Sequence, residues 1–111
     1  MQLSVERTDE RFYVAVSGEV DLATAPELDT VLLAAVANNP AQIVIDLSDV
    51  SFMDSTGLGV IVRTLKRTRE RDTALNLVVS NARVLKIFAI TGLDAVLNIY
   101  PTLADLETAN P

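Results

Sequence analysis

Apolar and polar residues alternate along "QLSVE", residues 2–6, as they do in a strand with one buried face. A second stretch, "FYVAVSGEV" at 12–20, is rich in β-branched and aromatic residues, and the polar "RTDER" between the two reads as a hairpin turn. Two antiparallel strands are therefore expected to open the chain. The period then changes. In "DLATAPELDTVLLAAVANNP" the residues Leu28, Val31, Leu32, Ala35 and Val36 fall on one helical stripe. Thr24 and Glu27 have the spacing of a capping box, Pro26 suits the first helical turn, and Asn38, Asn39 and Pro40 end the helix. "AQIVIDL" at 41–47 is a nearly continuous apolar run, the pattern of a strand buried on both faces.

"SDVSFMD" reads as a loop leading to a second helix over 56–70, with Leu58, Ile61, Val62 and Leu65 as its apolar stripe and Arg63, Lys66, Arg67 and Glu70 off it. "ALNLVV" at 74–79 predicts another buried strand. Ser80 or Asn81 can cap a third helix over 82–91 that buries Val84, Leu85 and Phe88, with Gly92 at its C′ position and Leu93 packing just beyond. "AVLNIY" predicts a short last strand and "TLADLETA" a terminal helix. The resulting order is β-β-α-β-α-β-α-β-α, and strands separated by a helix favour parallel pairing through right-handed crossovers. The expected class is α/β: a single domain over residues 1–111 with a mixed sheet of four to five strands covered by about four helices.

Composition narrows the chemistry. Half of the 111 residues are hydrophobic, enough for a core without staples. The chain has no Cys, which excludes disulfides and thiolate chemistry, and no His, which removes the commonest general base and metal ligand. Nine basic residues against fifteen acidic give a net charge of −6, which argues against direct nucleic-acid binding. The basic run "RTLKRTR" reads as one solvated helix face. The N-terminus has no apolar signal region, and no apolar run approaches the roughly 18 residues that span a bilayer, so a cytoplasmic domain without membrane insertion is expected.

The segment "FMDSTGLGV" at 52–60 stands apart. It lies between a buried strand and an amphipathic helix, so Asp54 or Ser55 is placed to be the N-cap. A helix N-terminus exposes unpaired N–H groups and partial positive charge, and accepts anions such as phosphate. Gly57 and Gly59 each cost roughly 1 kcal/mol relative to Ala in a helix. They either leave the helix start bare for another surface to approach, or allow close helix–sheet contact. A plain cap explains the Asp and Ser equally well. Catalytic motifs do not fit: no Lys follows the glycines as a P-loop requires, and Met53 stands where a nucleophile elbow needs its first Gly. Without His, Ser55 also lacks its usual base. An enzyme is not expected.

"IVIDLSDVSFMDSTGLGVIV", preceded by "SGEVDLATAPEL", strongly resembles the anti-sigma-factor antagonists of bacteria, small single-domain STAS proteins, and the resemblance spans essentially the whole chain. It implies that Ser55 is phosphorylated by a partner that is both anti-sigma factor and serine kinase. The unphosphorylated antagonist would bind that partner and free sigma; a phosphatase would reset the switch. No cofactor of the chain's own is implied, because the kinase would supply ATP and Mg²⁺. Asp21 matches the acidic residue that lies near the phosphorylated Ser in that family; read from the residues alone it is a solvated loop acid, not needed as a cap. Asp54 is expected to orient the loop or cap the helix, Thr56 is the neighbouring hydroxyl, and Leu58 is core or partner contact. Asp21, Asp54, Ser55, Thr56, Gly57 and Leu58 are thus the candidate partner-binding residues. Two other functions stay open: a STAS scaffold subunit of a lipid-transport or stress-signalling complex, and a small-ligand or nucleotide-binding module using the same helix N-terminus.

Overall fold

The computed structural model describes residues 1–109. Its elements run β1 (Gln2–Arg7), β2 (Arg11–Val20), α1 (Ala25–Ala37), β3 (Gln42–Met53), α2 (Ser55–Glu70), β4 (Ala74–Val78), α3 (Ala82–Ile90), a 3-10 turn (Leu93–Ala95), β5 (Asn98–Tyr100) and α4 (Leu103–Ala109). One five-stranded sheet holds the strands in chain order, β1-β2-β3-β4-β5. β1 pairs antiparallel with β2, and every later neighbour pair is parallel. The α/β class and the mixed sheet follow as the hydrophobic pattern predicted.

Alternation along the central strands divides the core. Ile43, Ile45 and Leu47 of β3 face one side, where they meet Leu28 and Leu32 of α1, Val60 and Ile61 of α2, and Val84 and Phe88 of α3. Val44 and Val78 face the other side, where Leu106 of α4 seals a smaller cluster flanked by Tyr13, Tyr100 and Leu103. Ile43, Val44, Ile45 and Leu47 are thus buried from both sides, which is why the strand reads as a nearly continuous apolar run, broken by the half-buried Asp46.

Five local expectations need correction. Residues 48–53 are not a loop but the second half of β3: two register shifts let β2 follow it, pairing Ser17 with Asp49, Gly18 with Val50, Glu19 with Phe52 and Val20 with Met53. Thr24 makes no side-chain cap to α1; its hydroxyl turns back to the carbonyl of Glu19 and to Asp21, so the capping box does not form. The buried positions of α2 are Gly57, Val60, Ile61, Thr64 and Thr68, while Leu58, Val62 and Leu65 are half-buried at the edges of that face. The two threonines enter the core because their hydroxyls donate back to the carbonyls of Val60 and Leu65. Leu85 is 37% exposed, since Val84 and Phe88 take the inward face of α3. The last strand is confined to Asn98–Tyr100, after a 3-10 turn.

Other signals carried through. Asn81 caps α3 through its side chain, and Gly92 follows the helix with φ +75°, a conformation that suits a residue without Cβ. The basic run on α2 is only partly a solvated face. Arg67 pairs with Asp29 of α1 at 3.0 Å, Arg63 approaches the same carboxylate at 3.8 Å, and Arg69 donates to the carbonyl of Val96. No helix among the described residues is long and apolar enough to cross a membrane.

Candidate functional site

β2 and β3 run parallel and end side by side at Val20 and Met53. Each then turns into a helix, so the β2–α1 loop and the start of α2 meet at the C-terminal edge of the sheet, where open α/β sheets place their sites. The join is stitched by the backbone: the N–H of Asp54 donates to the carbonyl of Val20 at 3.1 Å.

Asp54, rather than Ser55, is the N-cap. Its backbone is extended, and its carboxylate accepts from the N–H groups of Thr56 at 2.9 Å and Gly57 at 3.2 Å. The Thr56 hydroxyl donates to the same oxygen. That hydroxyl is the largest influence holding the Asp54 carboxyl below its ordinary range; the N–H groups of Gly57, Thr56 and Leu22 add to it, and desolvation opposes them. Thr56 is consequently half-buried with its hydroxyl engaged. Ser55 is the first helical residue, exposed, with no partner for its hydroxyl among the described residues.

Asp21 is half-buried rather than a fully solvated loop acid. Its carboxylate turns into its own loop and accepts from the N–H of Ala23 at 3.0 Å, the N–H of Thr24 at 3.1 Å and the Thr24 hydroxyl. This Asx turn fixes the loop before α1, which is a cap-like role the sequence did not suggest. The residue it presents is Leu22, whose N–H reaches Asp54 and whose side chain is 75% exposed.

Gly57 is buried, not bare. A Cβ there would lie 2.8 Å from Cγ of Met53 and 2.9 Å from Cγ1 of Val20, so this glycine lets α2 close onto the ends of β2 and β3. Of the two roles open to the glycines, Gly57 has the helix–sheet one. Gly59 instead borders a groove of about 440 Å³ between α1 and α2, where it is joined by Leu22, Pro26, Asp29, Ser55 and Arg63. Leu58 is half-buried and packs against the main core. A second recess, about 280 Å³, opens beyond Met53 and is lined by Glu19, Phe52, Arg83 and Ile87. Phe52 is 48% exposed.

The structure therefore brings Asp54, Ser55, Thr56 and the Asp21 loop together and moves Gly57 and Leu58 inward. It adds Leu22, Phe52, Asp29 and Arg63, which sequence reasoning missed. Leu22, an apolar residue inside a turn, was the one signal available; Phe52 was hidden by reading its strand as a loop.

The profile of the STAS domain matches residues 2–106, and the chain belongs to that family. Within it, the chain is 40% identical over 101 residues to the anti-sigma-B factor antagonist of Staphylococcus aureus, covering 89% of this chain and 94% of that one. The crystal structure of an anti-sigma factor antagonist from Mycobacterium paratuberculosis superimposes with a TM-score of 0.90 at 38% identity, covering 97% of this chain and 92% of that one. The Bacillus cell fate determinant SpoIIAA, solved in its phosphorylated form, shares the fold with a TM-score of 0.76 at 18% identity, over 98% and 100% of the two chains.

Proposed function

We propose that this chain is an anti-sigma factor antagonist that works by partner switching. Unphosphorylated, it binds an anti-sigma factor with serine kinase activity and releases sigma. A phosphate on Ser55 ends the binding, and a phosphatase restores it. The observation that carries this is the division of labour at the start of α2: Asp54 does the capping, which leaves the Ser55 hydroxyl exposed and free to react. Exposed Leu22 and Phe52, on the two segments that meet there, supply apolar contact area around it.

A phosphate adds roughly −1.5 to −2 in charge at pH 7. At a helix N-terminus the fold tolerates that charge. A partner that must desolvate it against Leu22 and Phe52 does not, so the switch acts on the contact surface and leaves the fold standing. The chain's own role is that of acceptor; the kinase carries the nucleotide.

Pull-down with the unphosphorylated chain, followed by incubation of the captured partner with Mg-ATP, tests this. The expected result is an anti-sigma factor, and one added phosphate mapped to Ser55. Phosphate on Thr56, or phosphorylation without a partner, would overturn the assignment. A complex that persists through ATP treatment would favour the scaffold alternative, and direct ligand capture in the groove the small-ligand one.

A further inference from the structure

Taking Ser55 as the phosphorylated residue, we infer that Arg63 is the counter-charge of its phosphoryl group. On phosphorylation the guanidinium leaves Asp29 and turns along the groove toward the helix start. Three observations carry this. First, Ser55, Gly59 and Arg63 border the same groove, and among its lining residues Arg63 is the cation and Asp29 the acid. Second, Arg63 already lies back along its helix: its Nη1 is 3.3 Å from where a Cβ on Gly59 would stand. Helical side chains lean toward the N-terminus, and the missing side chain at Gly59 keeps that path open. Third, Asp29 has a surplus of partners. Arg67 holds it with a hydrogen bond at 3.0 Å, while Arg63 stays at 3.8 Å with its side chain 51% exposed. Arg63 can leave without stranding the carboxylate.

The site needs such a cation. Asp54 caps the helix beside Ser55, the Asp21 loop touches Asp54 through Leu22, and Asp29 stands across the groove. A phosphate enters beside two acids, Asp54 and Asp29. Ser55 and Arg63 are separated by roughly 12 Å of helix rise, of which the backward-leaning arginine covers a large part. The contact is therefore charge to charge across groove water rather than a bidentate clamp, and a lysine would serve as well.

The test uses the full chain with phosphoserine installed at position 55 by genetic encoding, so it needs no kinase. Phosphorus NMR at low salt follows the second ionisation of the phosphate. Arg63→Gln should raise that pKa by roughly half a unit relative to the wild type, the size expected for one charge at this separation in a water-like medium. Arg63→Lys should titrate like the wild type. Asp29→Asn, which releases Arg63, should lower the pKa further. Molar salt should merge Arg63→Gln with the wild type. Identical low-salt titrations for wild type and Arg63→Gln would overturn the inference, even if a kinase phosphorylates Ser55. Failure of any kinase to modify Ser55 would overturn the proposed function and leave this electrostatic result intact.

Discussion

The N–H of Asp54 donates to the carbonyl of Val20 at 3.1 Å, so the first turn of α2 is pinned to the last residue of β2. That bond joins two segments more than thirty residues apart and sets the position of Ser55, the next residue along. Everything proposed for the site depends on this junction being rigid, and the residue that makes it tight is Gly57.

Gly57→Ala tests the junction. Helix propensity alone favours Ala by roughly 1 kcal/mol. The new methyl, however, meets Met53 at 2.8 Å and Val20 at 2.9 Å, closer than Cβ atoms tolerate, and overpacking of this kind costs about 1–3 kcal/mol. Val20 is fixed in the sheet, so overpacking wins and the variant should be less stable by up to about 2 kcal/mol in denaturant titration. Gly59→Ala is the control. Its methyl meets only the mobile tip of Arg63, so the variant should be unchanged or up to about 1 kcal/mol more stable. Equal effects at both positions would remove Gly57 from its packing role.

Asp54→Ala should lower the melting temperature at neutral pH, because the N–H groups of Thr56 and Gly57 and the Thr56 hydroxyl lose their acceptor. The pH dependence has a definite sign. The fold holds the Asp54 carboxyl below its ordinary value, chiefly through the Thr56 hydroxyl, so it favours the charged form. Its stabilisation is complete above the ordinary carboxylate range and is lost as the pH falls through the depressed folded value. Thermal melts of wild type and variant should converge in acid; a gap that stays constant would mean that charge plays no part in the cap.

The element order and the helix-facing core were legible in the sequence because both follow from period alone: Leu28 with Leu32 and Val84 with Phe88 recur at helical spacing, and Ile43 to Leu47 form an apolar run broken only by Asp46. Residues 48–53 were not, because "SDVSFM" alternates without strong apolar content, and its strand form depends on the irregular register with β2, a nonlocal fact. Gly57 and Gly59 look alike in sequence, and only the positions of Val20 and Met53 separate them. The turn-closing role of Asp21 was missed for a similar reason. Thr24 and Glu27 have the right spacing for a capping box, but the loop before them closes on Asp21 instead.

The opposite face of the sheet offers an alkaline test. The Tyr13 hydroxyl donates to Asp46, which also accepts from the N–H of Ser48 at 2.9 Å. Burial first, then this bond and the charges of Asp46 and Glu6, push the Tyr13 phenol well above its ordinary value, against a smaller opposing effect of Arg11. The fold therefore favours the neutral phenol. That stabilisation is complete below about pH 10, where an unfolded tyrosine ionises, and is lost as the pH rises above it. Tyr13→Phe should cost about 0.5–1.5 kcal/mol at neutral pH and flatten the alkaline limb of the stability curve. An alkaline limb identical to the wild type's would place the titrating group elsewhere.

Ser55 separates a structural hydroxyl from a switch. Because Asp54 already caps α2 and the Ser55 hydroxyl is exposed, Ser55→Ala should change stability by no more than about 0.5 kcal/mol, the usual range for a surface substitution. A serine that capped the helix would cost about 0.5–2 kcal/mol on the same change. Ser55→Asp should also fold normally, since its charge sits at a helix N-terminus. The two variants should part company on binding. The Ala variant keeps the uncharged surface between Leu22 and Phe52, cannot accept phosphate, and should stay bound to the anti-sigma factor in the presence of ATP. The Asp variant forces the partner to desolvate a carboxylate beside Asp54, a cost of several kcal/mol for an unpaired charge, of which each 1.4 kcal/mol or so is tenfold in affinity. Its Kd should therefore be at least about tenfold weaker. Calorimetric titration of both variants, with and without ATP, reads this directly. Equal affinities for the Ala and Asp variants would mean that charge at this position does not govern the contact, and that the partner binds away from the start of α2.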